Sequence, residues 1–234
     1  MAVLGTILVL LAVLTIHEFG HFVMCVRLGI PVKSLHLGIP IGPQLRFQLG
    51  KYPFTISLLP FGAAVVVDNE AMWRAPLWKR VLIMLAGPGA NFFSVVIAGM
   101  IVSWSLAGAL GGLAVIGVVA GVVIKFVAAL IDGTIPLALA GSQVVGPVGI
   151  VAQGGELVAS GKMELFSLFA MISVWLGLTN LLPIPGLDGG QVATNILVSL
   201  GMPRKWANTL TYACLGLLLV FILAITVRDI ANLF

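Results

Sequence analysis

Charged residues are scarce in this chain of 234 residues. Lysine and arginine number 12, aspartate and glutamate number 8, and together they make up 9% of the sequence, whereas an ordinary soluble domain carries about 25%. The few charges leave long uncharged runs. These runs are residues 1–16, 81–124, 133–155, 165–187 and 206–227. Because about 20 helical residues cross the hydrocarbon of a bilayer, the runs exclude a soluble globular protein and predict a multi-pass membrane protein.

Cysteine is equally rare. Cys25 and Cys214 are far apart, lie inside predicted helices and belong to no C-x-x-C pattern, so both are interpreted as small core residues. The net charge of +4 is not taken as a sign of a nucleic-acid partner. Its distribution along the chain instead predicts how the protein is oriented in a membrane. Basic residues dominate 27–80 and 189–205, whereas acids balance them in 106–164. The positive-inside rule then predicts that the first two segments face the cytoplasm and that both termini lie outside.

The apolar runs predict one mainly α-helical domain over residues 1–234, with about four core transmembrane helices. The four predicted spans are about 2–26, 81–106, 164–182 and 205–226. Residues 111–153 are apolar and glycine-rich, and we predict an outward-side hydrophobic or interfacial segment there. If this segment crosses the membrane and returns, the number of spans is six, but four is the favoured interpretation.

Residues 32–67 differ from the rest because polar and apolar side chains alternate. In "YPFTISLLPFG" the side chains of Tyr52, Phe54 and Ile56 share one face, while Thr55 and Ser57 share the other. A period of two predicts strands, and the intervening glycines and prolines predict turns between them. Since a sheet with open edges cannot face lipid, we expect a small membrane-associated sheet at the cytoplasmic side.

Two histidines and a glutamate interrupt the first predicted span in "VLTIHEFGHFVMC". His17 and His21 are four positions apart and so project from one helix face, the H-E-x-x-H arrangement that binds Zn²⁺ with Glu18 as general base. An acid at the centre of a membrane helix costs about 2.5–3.5 kcal/mol on insertion scales. Three ionisable groups within five residues are therefore hard to explain by packing alone.

A catalytic zinc site needs a third protein ligand, and Asp188 is the candidate. It lies in "NLLPIPGLDGGQ", where prolines end the third span and glycines permit unusual backbone angles. The segment 183–190 is predicted to be unwound and able to direct a carboxylate towards the metal. The alternative is that Asp188 only caps a helix.

The motifs HEFGH (17–21) and N-x-x-P-x-P-x-L-D-G (180–189) together resemble the site-2 proteases, the intramembrane zinc metalloproteases. AGPGAN (86–91) and GPVGI (146–150) are similar to the branch that contains the regulator of sigma-E protease. Members of that branch usually carry PDZ domains between the second and third spans, whereas only about 40 mostly apolar residues (roughly 107–145) fill that gap here.

This resemblance implies a zinc endopeptidase with one catalytic Zn²⁺. His17, His21 and Asp188 would be the ligands, Glu18 the catalytic base, and Asn91 and Asn180 polar groups that hold substrate or stabilise the intermediate. The substrates would be transmembrane helices of single-span proteins, cleaved within the bilayer in regulated intramembrane proteolysis. The expected location is a prokaryotic inner or cell membrane, with the active site towards the cytoplasm.

The competing interpretation is a non-proteolytic zinc-binding membrane protein that binds transmembrane helices. A metal transporter is disfavoured, because ionisable groups would then occur along several spans, and the second and fourth spans carry none in their interiors.

Overall fold

Helices make up most of the computed structural model, which describes residues 1–134, 146–161 and 163–231. The helices are α1 (Ala2–Arg27), α2 (Asn69–Arg74), α3 (Leu77–Ser103), α4 (Ala107–Ile131), α5 (Pro147–Ala159), α6 (Leu165–Asn180), α7 (Asp188–Ser199) and α8 (Arg204–Ala231). The strands are β1 (Val32–Leu49) and β2 (Tyr52–Val67). The predicted class, a mainly helical protein with one small sheet between the first long helices, is confirmed.

Four helices among the described residues are long and apolar enough to cross a membrane. They are α1, α3, α8 and residues Ala107–Ala129 of α4. In the most apolar 18-residue window of each, only 6% to 28% of the residues are buried. A water-soluble protein rarely exposes apolar surface on this scale, so the prediction of a membrane protein is confirmed.

The predicted third span corresponds to α6, which has 16 residues, whereas α4 has 25. At about 1.5 Å per residue, α6 is about 24 Å long and α4 about 37 Å, against a hydrocarbon core of about 30 Å. The segment predicted to lie on the outward side therefore contains a helix with the length of a span. Whether α4 crosses stays a prediction, and residues 135–145 lie outside the described part of the chain.

The two strands bend, so that they form a sheet of four segments. Residues 32–39 pair antiparallel with 59–67 on one side. On the other side, 35–37 lie beside 54–56, and these two segments run in the same direction. Residues 44–49 and 52–57 form an antiparallel hairpin that extends the sheet. The two edges of the sheet are consequently 59–67 and 44–49.

The described chain forms two compact units, and several helices run through both. One unit comprises Met1–Val9, Phe92–Leu178 and Gly216–Phe234, and the other comprises Leu10–Asn91 and Thr179–Leu215. The second unit contains the sheet, the start of α3 and all of α7. Every residue predicted for the site belongs to this second unit.

In the first unit, α4 folds back along the C-terminal half of α3. Val95 of α3 is buried with Val174 of α6, and Val115 and Val119 of α4 pack against them. The GPVGI motif begins α5, where the backbone N–H groups of Gly146 and Gly149 donate to the Asp229 carboxylate, each at 2.9 Å. This motif is therefore a capped helix start in the structure.

Candidate metal centre

Two imidazoles face one another on α1. His17 and His21 are 6% and 9% exposed, and their Nε2 atoms lie 3.3 Å apart. The spacing of four residues places both rings on one helix face, one turn apart. The predicted geometry of the H-E-x-x-H motif is thus present in the structure.

A backbone carbonyl orients His21. Its Nδ1 lies 2.7 Å from the carbonyl oxygen of Ile83 in α3, and this oxygen can only accept. The Nδ1 atom therefore carries the proton, and Nε2 presents a lone pair to the centre of the site. Fixing the tautomer of a metal-binding histidine in this way is the usual task of its outer hydrogen bond.

An amide from α3 takes the corresponding place beside His17. The Asn91 Nδ2 atom lies 3.2 Å from His17 Nδ1, and Asn91 is fully buried. A carboxamide keeps its shape when its oxygen and nitrogen exchange places, and with the oxygen towards the ring it accepts the Nδ1 proton. In that orientation His17 also presents an Nε2 lone pair to the site.

Asp188 completes the group. It is the first residue of α7 and is 7% exposed. Its Oδ2 atom lies 3.0 Å from His17 Nε2 and 3.3 Å from His21 Nε2. The N-cap of α7 is Leu187, so the carboxylate faces the histidines and the helix-cap alternative is disfavoured.

Close backbone contact brings Asp188 into position. A Cβ atom at Gly190 would lie 2.5 Å from the Pro185 nitrogen and would also meet the carbonyl of Ile184. Only a residue without a side chain lets the first turn of α7 sit against the proline-containing segment. The glycines after Asp188 therefore allow a tight turn from the end of α6 into α7.

The three side chains fit a zinc ion. Four ligands about 2.0–2.1 Å from a tetrahedral metal lie about 3.3 Å from one another, and the donor atoms here are separated by 3.0 to 3.3 Å. Gly87 keeps this space open, because a Cβ atom there would lie 2.8 Å from His17 Nε2 and would also meet His21 Nε2. Two imidazoles and one carboxylate leave a fourth position for water, as in catalytic zinc sites.

Glu18 lies beside this group and is held by the sheet. Its Oε2 accepts a hydrogen bond of 3.0 Å from the backbone N–H of Val65. Its carboxylate is close enough to His17, His21 and Asp188 to interact electrostatically with each of them. Since Val65 lies on the edge segment 59–67, the open edge of β2 runs past the catalytic-base candidate.

The structure brings together five of the six predicted site residues, with Asn91 beside His17. Asn180, the sixth, is the last residue of α6 and belongs to the same unit. Its role stays a prediction. Three further features of the site were not predicted from the sequence: the Ile83 carbonyl, the space at Gly87 and the Val65 N–H. Two of them are backbone groups, which residue types do not reveal, whereas Gly87 lies within the AGPGAN motif.

The sequence model of peptidase family M50 matches residues 5–223 of the chain. The chain therefore belongs to peptidase family M50. This membership confirms the resemblance to the site-2 proteases.

Curated relatives carry the name "putative zinc metalloprotease". One from Fusobacterium nucleatum is 42% identical over 94 residues, which are 39% of this chain and 28% of the relative. Others come from Synechocystis, 39% identical over 95 residues (39% of this chain and 26% of the relative), and from Streptococcus pyogenes, 33% identical over 92 residues (38% and 22%). The aligned part thus spans only about a quarter of the length of these relatives.

Proposed function

We propose that this protein is a zinc-dependent endopeptidase that hydrolyses peptide bonds within or near transmembrane helices of single-span membrane proteins. The observation that carries the proposal is the convergence of His17, His21 and Asp188 on one point, with the Glu18 carboxylate beside them. This group is built largely on a long apolar helix, α1. A hydrolytic site at membrane depth suits a substrate that is itself a membrane segment.

Different residues of the site would carry out different steps of amide hydrolysis. When bound, Zn²⁺ acidifies a water molecule and polarises the scissile carbonyl. The Val65 N–H holds Glu18 Oε2, so that Oε1 is the oxygen left to take the proton from the attacking water. Glu18 then donates this proton to the departing amine, while the remaining hydroxyl becomes part of the new carboxyl group. Asn91 and Asn180 are proposed to hold the substrate or to stabilise the intermediate.

The edge of β2 offers a binding surface for an unwound substrate. A helical peptide bond is shielded by its own hydrogen bonds, so the substrate must become extended before it is cut. Backbone groups of alternate residues point to the same side of a strand, and the Ala63 N–H is expected to lie on the edge used by Val65. An extended substrate could pair with this edge by β-augmentation, directly beside Glu18.

We also propose an orientation for the molecule. The basic segments 27–80 and 189–205 would face the cytoplasm, with both termini outside, following the positive-inside rule. The active site would then open towards the cytoplasm, from which water reaches it. A prokaryotic cell membrane is the proposed location.

The test is cleavage of a tagged single-span substrate by the purified protein, compared with Glu18→Gln. We expect the variant to keep its zinc and to lose cleavage by at least about 100-fold, the lower range for a general base. Glu70→Gln, which removes an exposed acid from α2, serves as a control and should cleave normally.

Two results would contradict the proposal. Undiminished cleavage by zinc-loaded Glu18→Gln would remove Glu18 from the reaction. Failure of the zinc-loaded wild type to cut any of several substrates would favour the alternative, a zinc-binding protein that binds transmembrane helices without cutting them.

A further inference from the structure

Two arginines stack on one tryptophan, away from the metal centre. The guanidinium carbons of Arg80 and Arg204 lie 5.1 and 5.4 Å from the centroid of the Trp73 ring. Trp73 is on the short helix α2, Arg80 is in the first turn of α3, and Arg204 is the first residue of α8. We call these three residues the arginine–tryptophan cluster.

Among the residues that the structure describes, Arg80 is a buried cation without a matching anion. It is 7% exposed, and it donates from Nη1 to the side-chain oxygen of Asn195 at 2.7 Å. Within the described part of the chain, its buried Nε finds no hydrogen-bond acceptor, and no carboxylate lies within salt-bridge distance of Arg80 or Arg204. Buried charges in proteins are normally paired. The buried guanidinium of Arg80, with the second guanidinium of Arg204 on the same ring, therefore indicates that an anion belongs beside them.

The position of the arginine–tryptophan cluster indicates which class of anion it would bind. Both α3 and α8 are candidate spans, and both begin at the cluster. Their first turns thus lie at one boundary between water and hydrocarbon, where tryptophan is enriched and where the positive ends of helix dipoles favour anions. The phosphates of lipid headgroups occupy this depth. Arginine binds phosphate oxygens in a two-pronged manner that a lysine cannot reproduce.

The short helix that carries Trp73 is itself fixed at both ends. Asp68 accepts from the Ala71 N–H at 2.9 Å, and its carboxylate lies 3.3 Å from the Lys33 ammonium. The Ala71 N–H, followed by Lys33, holds the pKa of the Asp68 carboxyl below its usual range. At the other end, the Ala75 N–H contacts the carbonyls of Ala71 and Met72. Trp73 is consequently a positioned platform for the two arginines.

We propose that the arginine–tryptophan cluster binds the phosphate of an anionic glycerophospholipid. Arg204, which is exposed, makes the direct contact, while buried Arg80 supplies a second, fixed positive charge and Trp73 aligns both. The proposal does not depend on proteolysis, since none of these residues belongs to the metal centre. A lipid phosphate is favoured over a soluble anion, because the cluster lies where two membrane-length helices begin.

The experiment measures lipid retention by native mass spectrometry of the full-length protein purified in detergent. Phosphatidylglycerol is added, with zwitterionic phosphatidylcholine and inorganic phosphate as separate arms. We expect wild type to retain phosphatidylglycerol in preference to phosphatidylcholine. Arg204→Gln should weaken this retention roughly tenfold or more, the loss typical of a charge-assisted hydrogen bond.

Lys205→Gln is the matched control, because it removes the same charge from the neighbouring position. The general attraction of one basic residue to an anionic lipid surface changes binding about fivefold. Lys205→Gln should therefore weaken the retention of phosphatidylglycerol by no more than this factor. Trp73→Leu, checked for its zinc content, is a second variant and should also weaken retention.

Equal losses in Arg204→Gln and Lys205→Gln would overturn the proposal, because they would show a diffuse basic surface instead of a site. Equal retention of both lipids by the wild type would do the same. Displacement of phosphatidylglycerol by millimolar inorganic phosphate would overturn the assignment to a lipid and leave a site for free phosphate.

Discussion

At the scale of single residues, the proposed metal centre depends as much on the missing side chain at Gly87 as on its three proposed ligands. His17 and His21 are oriented by groups on α3, and the same helix passes the imidazoles with Gly87 at the point of contact. Any larger residue there would enter the volume between the two Nε2 atoms.

Gly87→Ala is expected to abolish zinc binding without unfolding the protein. The added Cβ would lie 2.7 Å from His21 Cε1 and 2.8 Å from His17 Nε2, so the rings must move away from the metal position. Alanine also favours a helix by about 1 kcal/mol relative to glycine, and α3 should therefore persist. Zinc per protein, measured by elemental mass spectrometry beside circular dichroism, checks the prediction.

Gly89→Ala provides the control, because a Cβ atom at Gly89 meets nothing within 4 Å. This variant should bind one zinc ion like the wild type. Full zinc occupancy in Gly87→Ala would show that the ligands do not occupy the arrangement described here.

Residue types alone single out the candidate ligands, but they say little about how those side chains are oriented. The spacing of His17 and His21 determines a shared helix face before any fold is known, and the family motif adds Asp188. The partners of the rings follow from the packing of α1 against α3, and Ile83 contributes only a backbone oxygen. Nothing in an isoleucine side chain signals that its carbonyl is used.

At the scale of elements, the edge of β2 connects the sheet to Glu18, the proposed catalytic base. The sequence pattern predicts strands and an open edge, but a period of two cannot tell which edge faces the site. The hydrogen bond between Val65 and Glu18 identifies residues 59–67 as the edge in contact.

A proline at position 63 tests whether this edge binds substrate. Ala63→Pro removes one outward N–H, and we expect slower cleavage with zinc retained, because an extended substrate loses a backbone partner. Ala63→Ser keeps the N–H and should cleave at the wild-type rate. If zinc-loaded, folded Ala63→Pro cleaves as fast as Ala63→Ser, the edge does not hold the substrate.

The helix that carries Asp188 is fastened to α3 by the bond between Arg80 and Asn195. Asn195→Ala leaves a buried guanidinium without its acceptor, and we expect a loss of about 1–3 kcal/mol in the free energy of unfolding. Ser199→Ala, at an exposed position of the same helix, should have little effect. Denaturant unfolding in detergent measures both, and equal stability of the two variants would argue against a fastening role.

At the scale of the whole molecule, the uneven distribution of charge predicts an orientation that can be measured. Lys51 lies at the turn between β1 and β2, and Glu164 directly precedes α6. The first is expected in the cytoplasm and the second outside, both for four spans and for six spans in which the chain crosses at α4 and returns before Glu164.

Single cysteines at these two positions, in a chain whose Cys25 and Cys214 are replaced by alanine, report the orientation. In intact cells a membrane-impermeant maleimide should modify Glu164→Cys but should reach Lys51→Cys only after the membrane is opened. The opposite pattern would reverse the proposed topology. Modification of both cysteines in intact cells would show that the membrane does not separate the two positions.

The sequence predicts the membrane class and most helices, because apolar runs of this length have few other structures available to them. It leaves the segment around α4 ambiguous, since a helix on a membrane surface and a helix across it can share one composition. The packing of Val115 and Val119 against Val95 depends on contacts distant in sequence, which composition does not encode.

The bond from His21 to the Ile83 carbonyl has a consequence for genetics. Every amino acid carries a backbone oxygen, so no substitution at position 83 can delete this acceptor. A screen of all single substitutions for loss of activity would therefore identify Gly87 and the proposed ligands. At position 83 it would detect only the effect of side-chain size and not the role of the carbonyl. Point mutation thus cannot remove this contact to His21, a proposed zinc ligand, and nuclear magnetic resonance of the isotope-labelled imidazole would be the way to observe it.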